Sequence, residues 1–296
     1  MEYVELNNGV KMPMLGFGVY QISKEDTERC VLDAINVGYR LIDTAQSYFN
    51  EEEVGNAITK CGVPREELFI TTKVWIDNYG YEKCKASVLE SMKKLQVEYL
   101  DLILLHQPFG DYYGAYRALE ELYEEGKLKA IGVSNFYPDR LSDICLFERK
   151  IIPQINQVET NVFNQQIEAQ KNMEKHNVQI EAWAPFGEGR NNMFSNETLA
   201  KIGAKYNKSV AQVILRWLTQ RGVVALSKTT DIEKMKENIN VLDFTLSDED
   251  MQTIAELDTK TSLFFSHYDT NMVEWFDSTV KSRRENHDHT KDKKNW

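Results

Sequence analysis

The sequence is short of features that mark several protein classes. It has four cysteines in 296 residues, Cys30, Cys61, Cys84 and Cys145, and none forms a Cys-x-x-Cys pair, so neither a disulfide framework nor a thiolate zinc site is indicated. Long apolar runs are also missing. Nothing approaches the roughly 20 residues a membrane-spanning helix needs, and the opening MEYVELNNGVKMP is too polar for a signal peptide. Positive charge is in deficit: 35 lysines and arginines face 46 acidic residues, a net charge of −11. Phosphate backbones are bound by basic faces, so a nucleic-acid partner is not expected, and any anionic ligand must be held by a local positive site. These absences lead to an expected cytoplasmic protein with reduced thiols, with neither nucleic acid nor membrane among its partners. Oligomeric state leaves no mark in the sequence.

What is present is ordinary globular material, 42% apolar and 27% charged, enough to bury a sizeable core. Residues 3–14 read as two short strands around Asn7-Asn8-Gly9, a turn that tolerates positive φ. A strand follows at 15–20, where Gly16 and Gly18 permit close approach by a neighbour or a ligand. Ser23 then caps a helix whose face carries Val31, Ala34 and Ile35 and which ends at Gly38. The alternation repeats. Strands are expected near 39–43, 68–74, 100–105, 128–133, 153–158, 178–183 and 223–226. Helices lie between them: Asn50 caps one with Val54, Ala57, Ile58 and Cys61 inward, and another carries Cys84, Val88, Leu89, Met92 and Leu95 inward.

Eight strand-helix units spaced by roughly 25 to 35 residues match an α/β chain folded as a (β/α)8 TIM barrel, with an N-terminal β-hairpin in front. A doubly wound sheet is the competitor, but the first βα turn, Gly16-Phe-Gly18-Val-Tyr-Gln, lacks the third glycine of a dinucleotide-binding fingerprint. Residues 1–280 are expected to form a single barrel domain, with an aromatic C-terminal substrate loop over its mouth. Residues 281–296 are expected to be a polar, flexible tail. His287 and His289 in that tail are not expected to hold a metal.

Four polar residues stand at or just beyond the ends of three successive strands: Asp43, Tyr48, Lys73 and His106. In a parallel barrel those carboxyl ends gather on one face. A phenol has a pKa near 10 and needs a cation nearby before its anion is tolerable. Lys73 can be that cation, Asp43 its counter-charge, and His106 a hydrogen-bond donor to a substrate oxygen. Such a group suits protonation of an alkoxide forming on a carbonyl. Tyr20, Trp75 and Phe109, which also follow strand ends, are candidates with Tyr48 and His106 for the substrate pocket.

The chain resembles the aldo-keto reductase family, in the manner of bacterial diketogulonate reductases. The matching stretches are Gly38-Tyr-Arg-Leu-Ile-Asp43-Thr-Ala-Gln-Ser-Tyr48-Phe-Asn50-Glu-Glu-Glu-Val-Gly55, Thr72-Lys73, Leu104-Leu-His106-Gln-Pro108, Gly132-Val-Ser-Asn135-Phe, Gln157-Val-Glu159, Trp183-Ala-Pro-Phe-Gly187, and Lys228-Thr229 through Glu237-Asn238. The resemblance implies reduction of aldehydes or ketones with NADPH, NADH being possible, and a tetrad of Asp43, Tyr48, Lys73 and His106. Tyr48 would be the general acid, Lys73, held by Asp43, would lower its pKa, and His106 would orient the carbonyl. Cofactor contacts would come from Gly18, Val19, Tyr20 and Asp43. Ser134, Asn135 and Gln157 would hold the carboxamide, Trp183 would stack on the nicotinamide, and Lys228, Thr229, Lys234, Glu237 and Asn238 would take the adenosine phosphate. Lys234 stands where many members place arginine, Ala184 where serine is usual, and Ser227 where proline is frequent. An NADP(H)-binding sensor with little turnover is the alternative from another class, and a barrel isomerase with Lys73 as base is a third.

Overall fold

The structure is a computed structural model that describes residues 2–147 and 150–286. The N-terminal hairpin forms as expected, β1 (Tyr3–Glu5) antiparallel to β2 (Lys11–Pro13). The strands β3 (Leu15–Gly18), β4 (Leu41–Asp43), β5 (Phe69–Val74), β6 (Leu102–Leu105), β7 (Ile131–Ser134), β8 (Ile155–Glu159), β9 (Gln179–Trp183) and β10 (Val224–Ser227) then close into one parallel barrel, β10 pairing with both β3 and β9. Closure excludes the doubly wound sheet. Around it lie α1 (Lys24–Val37), α2 (Glu51–Lys60), α3 (Tyr81–Lys94), α4 (Tyr112–Glu124), α5 (Pro138–Leu146), α6 (Ile167–Lys175), α7 (Glu197–Tyr206), α8 (Val210–Gln220) and α9 (Ile232–Ile239), with α7 and α8 both between β9 and β10. Two further helices, α10 (Asp248–Ala255) and α11 (Thr270–Asn286), follow.

Local chemistry accounts for the element ends. Ser23 caps α1 by accepting from Asp26 N–H at 3.2 Å, and Gly38 leaves it at φ 121°, a conformation that favours glycine. Gly16 leaves room in the barrel for Leu41 and Leu226, which a Cβ would meet at 2.6 Å, whereas the nearest atom to a Cβ on Gly18 is 4.0 Å away. The first glycine therefore serves a neighbour, whereas a Cβ on the second would make only ordinary contact with Ser227 C=O.

Side chains alternate across each strand, so Leu41, Phe69, Leu102, Leu104, Ile155, Val224 and Leu226 fill the barrel interior while Ile42, Ile70 and Ile103 face the helices. The hairpin closes the bottom by adding Leu6, Met12 and Met14 to that interior cluster. The upper layer is polar. Period two then fixes Asp43 above Leu41, Lys73 above Phe69 and Thr71, and Glu181 two residues below Trp183, all on inward positions.

Several expectations are corrected. β3 ends two residues early, and the strands from β4 onward begin one to three residues later than their apolar runs; Leu100 and Leu128 keep only an isolated bridge. Leu89, expected inward, is 40% exposed, because Cys84, Val88, Ser91 and Met92 form the buried stripe of α3 and Leu89 lies a helical step beyond it. Asn50 precedes α2 but makes no capping bond; its amide bonds Val19 C=O at 3.2 Å and its oxygen accepts from Thr44 Oγ1 at 2.8 Å. Helix α11 runs across residue 281, where the polar tail was expected to start, and residues 287–296, including His287 and His289, lie outside the described residues.

Candidate active site

The top of the barrel is built from the ends of β4, β5 and β6. Lys73 is fully buried and its ammonium has three partners: Asp43 Oδ1 at 2.5 Å, Thr44 C=O at 3.0 Å and Tyr48 Oη at 3.4 Å. The short 3-10 turn Gln46–Tyr48 after β4 delivers Tyr48 to this point. Tyr48 accepts from Lys73, so its own O–H remains available to a substrate. His106 lies edge-on to Tyr48, ring centroids 5.7 Å apart, and its Nδ1 is 3.3 Å from Ser47 Oγ. All four expected tetrad residues therefore converge.

Electrostatics refine the picture. Burial, then Lys73, Arg283 and His267, hold His106 well below the usual histidine range, so the ring is neutral. If the Ser47 hydroxyl donates to Nδ1, the proton of the neutral ring is on Nε2. Burial, Asp43 and Glu181 push the Tyr48 phenol well above its ordinary value. The acidity expected from Lys73 is thus not seen in the phenol, because the ammonium is closer to Asp43 than to Tyr48 and its charge is already answered there.

The expected nicotinamide residues interlock beside the tetrad. Trp183 Nε1 donates to Asn135 Oδ1 at 2.9 Å, Asn135 Nδ2 donates to His106 C=O at 3.0 Å, and Ser134 Oγ donates to Gln157 C=O at 2.8 Å. Gln157 Nε2 donates to Asp43 Oδ2 and to Glu181 Oε2, each at 3.0 Å. Tyr20 lies 4.9 Å from the Tyr48 ring, while Val19 is buried in the wall with its N–H and C=O taken by Asp43 and Asn50. After β10, Lys228 and Lys234 are exposed, Thr229 and Glu237 half-buried and Asn238 buried. Glu237 accepts from Ser209, and Thr229 Oγ1 from Asp231 N–H at 3.2 Å. Ser227 uses its hydroxyl on Tyr39 Oη at 3.1 Å, and Ala184 sits at φ 49°.

Trp75 and His106 meet edge-on at the barrel mouth, and the C-terminal segment packs against Trp75 and Phe109 there. Phe276 of α11 lies 5.2 Å from Phe109 and 6.0 Å from Trp75. His267 stacks on Phe109 at 5.8 Å and meets Gln107 Oε1 at 2.7 Å. Glu159, at the end of β8, holds the same segment through Ser262 Oγ at 2.5 Å and Leu263 N–H at 2.9 Å. The sequence reading named the segment but not His267. It also missed Glu181, whose signal is an acid between Ile180 and Ala182 on an inward position. Among the described residues, no three His, Cys, Asp or Glu side chains gather as a metal would need.

Residues 14–259 match the Aldo/keto reductase family. The chain belongs to that family. It is 46% identical over 256 residues to glyoxal reductase of Bacillus subtilis, covering 86% of this chain and 92% of that one. Its structure superposes on MGS-M4, an aldo-keto reductase enzyme from a Medee basin deep-sea metagenome library, with TM-score 0.87 and 43% identity over 90% of this chain and 98% of that chain. A Bombyx mori aldo-keto reductase solved in complex with NADP matches at TM-score 0.84 and 30% identity, covering 89% of this chain and 95% of that one. An aldo/keto reductase thus presents here a barrel mouth with a buried Lys-Asp pair, a phenol and a neutral imidazole.

Proposed function

We propose that this aldo/keto reductase is an NADP(H)-dependent oxidoreductase that reduces aldehydes and ketones to alcohols, with Tyr48 as the general acid. The observation that carries the reading is Lys73 Nζ placed between Asp43 at 2.5 Å and Tyr48 at 3.4 Å, beside a neutral His106. The surroundings fit the cofactor. Gly18 has no side chain to crowd the strand end beside Ser227, Trp183 is half-buried beside the Ser134, Asn135 and Gln157 group, and Lys228 and Lys234 supply exposed cations in an acidic chain. Lys228, Thr229, Lys234, Glu237 and Asn238 would hold the adenosine phosphate. Lysine gives it a point charge rather than the fork of an arginine, so NADPH is favoured over NADH without a bidentate grip.

Bound NADPH supplies the hydride. The protein supplies the rest. The His106 Nε2–H donates to the carbonyl oxygen and fixes its direction. Tyr48 stays protonated at neutral pH because its surroundings hold the proton on, yet an alkoxide is a stronger base than a phenolate and takes it. Lys73 then stabilises the phenolate until solvent restores the proton. Aromatic walls from Tyr20, Trp75, Phe109 and Phe276 exclude water from the reacting carbon.

The similarity to glyoxal reductase makes small dicarbonyls the first substrates to test. A panel of carbonyls followed by loss of nicotinamide absorbance, with NADPH and then NADH, checks the reading. Carbonyl-dependent oxidation of NADPH supports it; tight NADPH binding with no oxidation by any carbonyl would favour a cofactor-binding sensor. Lys234→Ala should weaken NADPH about tenfold or more while changing NADH little, and equal weakening of both would remove Lys234 from the phosphate site.

A further inference from the structure

Glu181 sits inside the barrel on β9, completely buried, and the tetrad as described has no use for it. Its one hydrogen bond among the described residues is from Gln157 Nε2 to Oε2 at 3.0 Å; Oε1 is buried with no partner. The same Gln157 nitrogen holds Asp43 Oδ2. A row therefore crosses the barrel from Glu181 through Gln157, Asp43 and Lys73 to Tyr48, and two carboxyls in it share one ammonium. A buried carboxylate with an unsatisfied oxygen and no cation of its own is costly, and a carboxyl carrying a proton on that oxygen costs far less.

We propose that Glu181 is a positioning residue for the tetrad: it clamps the Gln157 amide against Asp43, and the proton on its free oxygen decides how far Lys73 favours the Tyr48 phenolate. The proposal rests on the reductase reading above. The charged or titratable groups that act with Glu181 are Asp43 from β4, Lys73 from β5 and Tyr48 from the turn after β4, while its strand partners Gln157 on β8 and Val224 on β10 are uncharged. With the proton on, Lys73 answers one carboxylate and can stabilise a phenolate. With it off, two carboxylates surround the ammonium and a phenolate is disfavoured. Burial, with Asp43 alongside, pushes the Glu181 carboxyl up to about 8, so this change falls in an accessible range. The added negative charge also favours oxidised cofactor, whose ring is positive, over reduced. Both Gln157 amide hydrogens are already committed, so a carboxamide can be met there only by the Gln157 oxygen.

Glu181→Gln keeps the shape and fixes the neutral state, and the test compares its pH profile with that of the native protein. Between about pH 7 and about pH 9 the native kcat for carbonyl reduction should fall about tenfold, the usual effect of one nearby like charge, while that of the variant falls less than about twofold. Over the same range the ratio of NADP+ to NADPH affinity, read by tryptophan fluorescence, should rise about tenfold in the native protein and stay flat in the variant. Superimposable profiles and ratios would overturn the proposal. Glu181→Leu, which removes the acceptor from Gln157, should lower kcat with KM unchanged, and a proportionate change in both would count against positioning. Tyr48→Phe run alongside separates the two readings. Retained turnover in it would sink the reductase reading and this proposal together; lost turnover, with Glu181→Gln behaving like the native protein, would sink this proposal alone.

Discussion

At the scale of single residues, Lys73 sets the energetics of the site. It is a buried cation with all three donors used, and Asp43 is a buried anion that has only Lys73 as its cation within 4 Å among the described residues. Removing one partner strands the other. Lys73→Met should therefore cost about 3 to 5 kcal/mol in denaturant unfolding, and adding Asp43→Asn to it should recover part of that loss. A double variant no more stable than the single one would show that the charge pair is not what the fold depends on. His106 and His267 make a second forecast. Burial holds His106 well below its ordinary value and His267 at about 3, so both stay neutral in the fold while the unfolded chain gains protons near the usual histidine pKa. Their contribution to stability is full above that value and is lost as pH falls below it, for His267 down to about 3. His267→Phe should flatten the acid side of a plot of Tm against pH; an unchanged slope would contradict the burial argument. Asp43, Lys73 and His106 were legible in the sequence because each ends an apolar run, and Tyr48 because it follows one at short range. Glu181 was not, because a single acid within an apolar strand looks alike whether it faces solvent or the barrel axis until the register is known.

At the scale of elements, the C-terminal segment is held from three sides: Glu159 from β8, Gln107 after β6 through His267, and the Trp75 and Phe109 rings against Phe276. Arg190 adds a hydrogen bond to Leu263 C=O at 2.6 Å. These anchors tie the segment to the barrel mouth without taking part in strand pairing. Glu159→Ala should raise amide exchange in residues 260–268 and raise KM for bulky carbonyls, while barrel stability falls by only about 1 to 3 kcal/mol. Exchange unchanged in that segment would mean that the rings alone hold it. Sequence signals for α1, α4 and α8 were strong because each pairs a cap or stop residue with a long buried stripe. Helix α11 was illegible for the opposite reason: only Phe276, Val280 and Arg283 are buried among its described side chains, so the apolar stripe is too thin to read. Helix α10 did carry a signal, Ser247 capping an acidic first turn. It lies beyond the last barrel strand, where the alternation that guided the reading had ended.

At the scale of the molecule, the barrel is plugged below and reactive above. The hairpin side chains Leu6, Met12 and Met14 seal the bottom, and the Lys73 and Asp43 pair is buried in the polar layer above them. Met12→Ala should cost about 2 to 5 kcal/mol in a single cooperative transition, as expected of a fully buried core residue, and a separate early transition confined to the hairpin would show that the plug is not part of the core. The central claim is that the barrel brings Lys73, Asp43, Tyr48 and His106 together so that a phenol protonates the oxygen of a reduced carbonyl. Single-turnover oxidation of bound NADPH by Tyr48→Phe tests it most directly, with cofactor binding checked by Trp183 fluorescence. Tyr48→Phe should bind the cofactor like the native protein and turn over slower by about a hundredfold or more. Native-like turnover in that variant would contradict it.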